Sequence, residues 1–190
     1  VLYDCDALEA LTIGGTVNSI GKDAFYSCGE LKYVTFRPSP TGTPLTMYHQ
    51  SYLSDEQVPF HDANLETVDW RREIDLRGRD DTESAEGLFQ GHSNLTSVSI
   101  GSQVKTIPYN AFANTGLTSI TIPPSIKKIE HDAFTNCEAL HTVIITPSSE
   151  MLYVANQNSG YGTFYQSPLK HIELGRSIGY RNQYDNLFIP

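Results

Sequence analysis

The 190-residue sequence predicts an α/β solenoid that is mainly β, a right-handed superhelix with a parallel sheet on one face and short helical or 3₁₀ turns opposite. Two observations predict it: an apolar strand motif that recurs seven times, and a phenylalanine that precedes all but the first copy. Such self-similarity is typical of solenoids, in which one coil cannot bury its own apolar face and stacking supplies the core. We therefore predict one domain of about seven coils over residues 1–190.

The strand motif is L-x-x-aliphatic-x-apolar. Alternation over its last three positions is the pattern of a half-buried strand. Because every copy has the same polarity, one strand per coil predicts a parallel sheet along the solenoid. The copies are Leu8-Leu11-Ile13, Leu31-Val34-Phe36, Leu65-Val68-Trp70, Leu95-Val98-Ile100, Leu117-Ile120-Ile122, Leu140-Val143-Ile145 and Leu169-Ile172-Leu174.

A ladder of phenylalanines is predicted to form the second wall of the core. Its members stand five or six residues before the leading leucines, and Leu2 takes this place in the first copy. Asp23, Asn110 and Asp132 each precede a member by two residues and predict a capped short helix or 3₁₀ turn. The members are Phe25, Phe60, Phe89, Phe112, Phe134 and Phe164.

A third apolar element, such as Val104-x-x-Ile107, bridges strand and turn in the regular copies and predicts a brief extended segment. Three copies are longer, and we expect their extra residues, at about 37–58, 71–87 and 146–162, to leave the coil on one edge. Loops on a rigid scaffold commonly carry binding residues. The candidate residues of these inserts are Tyr48, Tyr52, Tyr153 and Tyr161.

Composition and charge exclude several classes of protein. A formal net charge of −9 argues against a nucleic-acid surface, which needs clustered Lys and Arg. No apolar run is long enough for a transmembrane helix, so we expect no membrane insertion within this chain. The sequence has no leader peptide, and its first residues already lie in a repeat, so we expect a mature chain or part of a longer one.

Cysteine, histidine and serine patterns give no catalytic or metal site. The six histidines form no H-x-x-x-H or H-E-x-x-H pair, and no G-x-S-x-G elbow occurs. Cys5, Cys28 and Cys137 share one repeat position, where a free cysteine behaves as a small buried hydrophobe. Since Cys5 and Cys28 fall on neighbouring coils, a disulfide between them is geometrically allowed, and both states stay open.

The pattern L-x-x-[IV]-x-I-P, then [VI]-x-x-I, then A-F-x-x-C resembles the leucine-rich repeats of the BspA type. Ala24-Phe25-x-x-Cys28, Ala133-Phe134-x-x-Cys137 and Leu117-x-x-Ile120-x-Ile122-Pro123 carry the resemblance. It implies a leucine-rich-repeat superhelix and a bacterial protein that is secreted or on the cell surface, where family members are implicated in adhesion. It implies no cofactor and no catalytic residue.

The open face of the predicted sheet consists of the third and fifth motif positions. Small hydroxyl residues dominate it, and cross-strand pairing of Ser and Thr is a sufficient structural reason for them. A binding surface is the alternative, because aromatic and Arg side chains are the usual anchors of interfaces. Its candidates are Tyr33, Arg37, Asp69, Arg71, His171 and Glu173.

The function predicted from these features is a non-enzymatic recognition or adhesion module. We expect it to bind a host extracellular or other cell-surface protein through the open face and the edge loops. Carbohydrate binding is one alternative, suggested by Tyr and Asn residues in the third insert together with Asp69, Arg71 and Glu173. A spacer with no ligand of its own is another.

Overall fold

The computed structural model describes residues 2, 4–21, 24–48, 60–77, 87–155, 162–181 and 187–188. These residues form fifteen short strands and no helix. The strands are β1 Ala10–Ile13, β2 Ser19–Ile20, β3 Tyr33–Phe36, β4 Leu45–Tyr48, β5 Thr67–Trp70, β6 Ile74–Arg77, β7 Ser97–Ile100, β8 Thr106–Ile107, β9 Ser119–Ile122, β10 Lys128–Ile129, β11 Thr142–Ile145, β12 Leu152–Ala155, β13 His171–Leu174, β14 Ile178–Arg181 and β15 Leu187–Phe188.

All seven predicted strands form one wall of the solenoid, which we call the main sheet. It consists of two parallel sheets, β1-β3-β5-β7 and β9-β11-β13, because β7 and β9 lie side by side without ladder pairing. We number the coils 1 to 7 by these strands. Motif residues pair with their equivalents, as in Val34 with Val68, so the predicted parallel register is confirmed.

The second sheet contains the other strand of each coil. Its order is β2-β4-β6 and then β8-β10-β12-β14, with β15 antiparallel to β14. The predicted extended segments are β2, β8 and β10. However, β4, β6 and β12 lie inside the predicted inserts 37–58, 71–87 and 146–162, so these parts of the inserts stay within the coil. Leu45 and Met47 of β4 are fully buried.

The phenylalanine ladder packs between the two sheets and the turns. Neighbouring rings stack with centroids 5.1–6.4 Å apart, from Phe25–Phe60 to Phe134–Phe164. Five of the six members are buried, and Phe164 in coil 7 is partly exposed. Trp70 is buried and meets Phe89 and Phe112 edge-on, in agreement with its predicted core position.

The turns opposite the main sheet are single hydrogen-bonded turns. Bonds such as Ala113 N–H to Asn110 C=O follow the i to i+3 pattern of a 3₁₀ turn. Asn110 and Asp132 have φ of 53° and 57°, so they occupy the left-handed region. The predicted N-capping role is therefore wrong for these two, because an N-cap needs extended backbone. The third predicted cap, Asp23, lies outside the described residues.

The cysteine position of the repeat carries a hydrogen bond between coils. The Sγ of Cys28 donates to Leu2 C=O at 3.2 Å, and the Sγ of Cys137 donates to Phe112 C=O at 3.0 Å. Ser167 donates from the same position to Phe134 C=O at 2.7 Å. Cys5, Cys28 and Cys137 are all free thiols. Burial raises the pKa of Cys28 and of Cys137, so both remain protonated donors.

Two buried arginines connect coils that are not neighbours. Arg72 of coil 3 donates to Gly15 and Val17 C=O of coil 1 at 3.2 and 2.8 Å, and to Thr43 C=O of coil 2 at 2.7 Å. Arg176 of coil 7 has the equivalent position and donates to carbonyls of coil 5 at 2.9–3.2 Å. In both cases the guanidinium group donates hydrogen bonds to carbonyl groups at a turn, and the arginine is buried.

Candidate functional site

The open face of the main sheet is exposed and mostly flat. Ser97, Ser99, Ser119 and Thr121 occupy its centre, and all four are exposed. The described strands leave this face uncovered from coil 1 to coil 7. The face is therefore accessible to a partner protein, but its small hydroxyl side chains offer few of the large aromatic or arginine contacts that stabilise interfaces.

Bulk and charge on the open face concentrate on coils 2 and 3. Tyr33 is 45% exposed, and its hydroxyl donates to Glu66 Oε2 at 3.3 Å. The Nε of Arg71 donates to both Asp69 carboxylate oxygens at 2.7 and 2.8 Å. Arg37 follows β3 as Arg71 follows β5 and is also exposed. We call Tyr33, Arg37, Glu66, Asp69 and Arg71 the coil 2–3 patch.

Glu66 is a patch residue that the sequence analysis missed. It occupies the second motif position, which the strand alternation did not assign to the open face. Its backbone N–H bonds to Lys32 C=O in the preceding coil, which brings its side chain beside Tyr33. The sequence signal that could have identified Glu66 is its place in the motif, one coil after Tyr33, where a carboxylate can accept a hydrogen bond from the tyrosine hydroxyl.

The other predicted binding residues lie elsewhere. His171 and Glu173 are exposed on β13, four coils from β5, which corresponds to roughly 19 Å at one strand spacing per coil. Tyr48 and Tyr153 lie on the second sheet, in β4 and β12. Tyr52 and Tyr161 fall outside the described residues. The structure thus brings together four of the predicted candidates, Tyr33, Arg37, Asp69 and Arg71.

A polar groove of about 500 Å³ runs along the turn side of coils 4 to 7. Its lining includes Asn114, Asn136 and Gln166, three side-chain amides at equivalent repeat positions, all in the left-handed region. Tyr109 and Tyr165 also line it. Asn tolerates positive φ better than most residues. Because the three residues share this turn conformation, their side-chain amide groups lie one coil apart.

In the part of the chain that the structure describes, no group of three His, Cys, Asp or Glu side chains could hold a metal ion. His92 is buried, its Nδ1 lies 3.1 Å from Ala63 C=O, and burial lowers its pKa to about 4. It is therefore a neutral structural donor. Among the described residues, no helix is long and apolar enough to cross a membrane.

Comparisons with known proteins return a family model and solved structures. A family model of the BspA type leucine rich repeat region matches six copies, over residues 1–71 and 82–185. A leucine rich cell surface protein from Faecalibacterium prausnitzii A2-165 is 18% identical with a TM-score of 0.40, and the match covers 93% of this chain and 62% of that one. A leucine-rich repeat protein from Bacteroides ovatus ATCC 8483 is 16% identical with a TM-score of 0.43, covering 90% and 56%.

This chain therefore spans less than two thirds of either solved protein. A search of curated proteins finds no match. The family match, by contrast, extends over most of the sequence and coincides with the stacked coils. The chain belongs to the BspA type leucine-rich repeat family.

Proposed function

We propose that this chain is a non-enzymatic recognition module of the bacterial cell surface or extracellular space, and that it binds a protein partner through its open sheet face. The observation that carries the proposal is the coil 2–3 patch, where the exposed side chains of Tyr33, Arg37 and Arg71 lie beside the partly exposed carboxylates of Glu66 and Asp69. Tyr and Arg are frequent energetic anchors of interfaces. The cell-surface description of a solved relative is consistent with this location.

The test is binding of the immobilised chain to a panel of purified extracellular-matrix proteins. We expect Tyr33→Ala combined with Arg71→Ala to weaken binding by at least about tenfold, the effect of losing interface anchors. The matched control is Ser99→Ala with Thr121→Ala, on the same face. Absence of binding to every protein in the panel, or equal binding by both double variants, would contradict the proposal.

The edge loops belong to the same proposal. Because β4, β6 and β12 are part of the solenoid, trimming must be confined to residues 49–59, 78–86 and 156–161. We expect each trimmed chain to keep its fold and to lose part of its affinity for the same partner. Binding undiminished in all three would remove the loops from the interface.

Carbohydrate binding is the second candidate, and the turn-side groove favours it. Aligned amides with tyrosines can combine hydrogen bonds and apolar contact with a sugar. A glycan array separates the candidates, with Asn114→Ala plus Gln166→Ala as the groove variant. A spacer without a ligand predicts no signal on the array and none with matrix proteins.

A further inference from the structure

The second sheet contains a gap between coils 3 and 4. Strands β6 and β8 are not hydrogen-bonded to each other, and no Cα of β6 lies within 8 Å of a Cα of β8. Paired strands are about 4.8 Å apart, so strands separated by one intervening strand are about 9.6 Å apart. On the other side of the same two coils, β5 and β7 remain fully paired. The coils are therefore splayed at the second sheet, where every Cα of β6 is more than 8 Å from every Cα of β8.

The edge of β6 that faces the gap has backbone groups available for pairing. Leu45 N–H donates to Glu73 C=O, so the odd residues of this segment point their backbone toward β4. By the alternation of a parallel ladder, Ile74 and Leu76 direct their N–H and C=O groups into the gap. Within the described chain no partner for these groups is present.

A carboxylate, and no backbone carbonyl, connects the two coils at the narrow end of the gap. Glu73 Oε2 accepts from Lys105 N–H at 2.6 Å. In the next coil the equivalent N–H of Lys127 donates to a backbone carbonyl, that of Lys105. The longer reach of the Glu73 side chain keeps the coils joined while leaving the space beyond it open. Burial raises the pKa of Glu73, although the backbone N–H of Lys105 and Thr106 oppose this.

The cleft at this gap has a volume of about 520 Å³ and a distinct chemistry. Its floor includes Ile74 and Leu76, which are only half-buried, whereas their register partners Leu45 and Met47 are fully buried. Among the described residues, its lining includes the carboxylates of Glu73, Asp75 and Glu130 and no cationic side chain. Asp75 and Glu130 form ion pairs with Arg77 and Lys128. Glu73 has no ion pair among the described residues, although the nearby charge of Lys105 acts against the larger effect of burial on its pKa.

We propose that this cleft is a docking site for an extended, basic peptide segment of a partner protein, which enters between β6 and β8 as an added strand. The backbone of the peptide would pair with Ile74 and Leu76 on one side and approach Thr106 on the other. Its alternate apolar side chains would cover Ile74 and Leu76, and a Lys or Arg would meet Glu73. Addition of a strand to an open edge is an established mode of peptide recognition.

The sign of the charge argues for this occupant over the chain itself. The neighbouring sequence 78–86 contains four acidic residues and one arginine, and the whole chain has a net charge of −9. Like charges near Glu73 disfavour both this segment and a second copy of the chain. The cleft is separate from the open face, so failure of matrix-protein binding would not contradict peptide binding at the cleft, and the reverse also holds.

The probe is the blocked hexapeptide acetyl-Val-Lys-Ile-Lys-Val-Lys-amide, titrated against the full chain by fluorescence anisotropy. We expect binding that Glu73→Gln weakens at least tenfold, since Gln keeps the acceptor oxygen but loses the charge. Glu138→Gln, at an exposed turn residue of coil 6, is the matched control and should bind like the unmodified chain. Far-UV circular dichroism verifies that both variants fold.

Backbone pairing is tested with two analogues of the peptide, each N-methylated at one alternate set of amides. A strand inside the gap has neighbours on both sides, so either analogue should bind at least tenfold more weakly. A strand on a single outer edge would tolerate one of them. Amide hydrogen exchange should show Ile74 and Leu76 unprotected in the free chain and protected with the peptide.

The proposal would be overturned by no binding at millimolar peptide, equal affinity of Glu73→Gln and Glu138→Gln, full affinity of either methylated analogue, or a dimer that the peptide does not dissociate. Protection of Ile74 and Leu76 in the free chain would also overturn it, since the chain would then fill the gap itself.

Discussion

Arg72 and Arg176 are buried cations whose partners are carbonyl oxygens. Each guanidinium donates three hydrogen bonds, while the Nε of each has no partner within the described chain. Burial lowers the pKa of both groups because it disfavours the charged form. The arrangement is stabilising only as a whole, since removal of the side chain leaves carbonyls without donors.

Replacement of this side chain gives the first prediction. We expect Arg72→Met to lower the free energy of unfolding by about 3 kcal/mol, because three carbonyl acceptors in partly buried hydrogen bonds lose a charged donor. Urea unfolding measures the change. Arg37→Met, at an exposed arginine, is the control and should change stability by under about 0.5 kcal/mol. Equal effects of the two substitutions would show that Arg72 does not stabilise the coils.

His92 gives a prediction of pH dependence. Its folded pKa of about 4 lies below the ordinary value of 6.5, so the unfolded chain binds the proton more tightly. Stability from this group is therefore complete above pH 6.5 and falls as the pH decreases toward 4, by roughly 3 kcal/mol in total.

The measurement for His92 is urea unfolding at pH 7 and pH 4.5. His92→Cys, which installs the residue found at the same position in coils 2 and 6, should remove this part of the pH dependence. His171→Gln, at an exposed histidine, should leave it in place. An unchanged difference between the two pH values in His92→Cys would refute the assignment.

Residue types alone could not reveal these roles. Arg72 lies in a charged stretch, and a charged stretch is usually a solvated loop. Its burial depends on the three-residue connection 71–73 between β5 and β6, which the strand motif does not indicate. The left-handed conformation of Asn110 and Asp132 was missed for a similar reason, because the same residue types are favoured at N-caps and at positive φ.

At the scale of the elements, the strand motif and the phenylalanine ladder were predictable because both follow the repeat without interruption. An aliphatic residue recurs at a fixed offset in all seven main-sheet strands, and it faces inward in coils 1 to 6, whereas Ile172 of β13 is 51% exposed. Strands β4, β6 and β12 were not recognised, since connections of varying length shift them out of phase. Their alternation, as in Leu45 and Met47, was the available local signal.

The ladder gives a prediction at this scale. We expect Phe134→Ala to lower stability by roughly 3–5 kcal/mol, since the ring is fully buried between Phe112 and Phe164. Phe164→Ala should cost about half as much, because this ring is partly exposed and has a described stacking partner on one side only. Denaturant midpoints at equal slope measure both, and a larger loss at Phe164 would contradict the burial order.

In the whole molecule, sheet pairing is interrupted at two junctions of the described chain, between β7 and β9 of coils 4 and 5 and between β6 and β8 of coils 3 and 4. Between coils 3 and 4 the described residues also lack the backbone turn-side bonds that connect coils 4, 5, 6 and 7, although His92 Nδ1 lies 3.1 Å from Ala63 C=O. Ser39 and Gln103 span the junction of coils 3 and 4, with N–H to Oε1 and Nε2 to C=O distances of 2.8 Å. The sequence could not predict this junction, because both coils carry the complete strand motif.

Native-state hydrogen exchange tests this junction. In a repeat array a local defect spreads through the interfaces between neighbouring coils. We expect Phe25→Ala to speed amide exchange in coils 1–3 more than in coils 5–7, and Phe134→Ala to do the reverse. Gln103→Ala removes the hydrogen bonds to Ser39 and should increase the difference in exchange between coils 1–3 and coils 5–7. Uniform acceleration of exchange over all coils in both variants would show that destabilisation spreads across this junction as readily as across the others.

The candidate site was predictable only in part. The outward strand positions identified Tyr33, Asp69 and Arg71, and the register brings them together. The same reasoning also selected His171 and Glu173, which lie at the far end. Residues at outward positions of different coils are separated by the height of the coils between them. The strand pattern selects the outward positions but does not select those that lie close together.

The arginine contacts restrict how such a chain can change its copy number. Arg72 reaches past coil 2, which it also contacts, to coil 1, and Arg176 reaches past coil 6 to coil 5. Loss or gain of one unit inside either triplet would put the guanidinium out of phase with its acceptors, even though each remaining pair of coils still fits. Recombination can therefore shuffle blocks of three coils here with less disruption than single repeats.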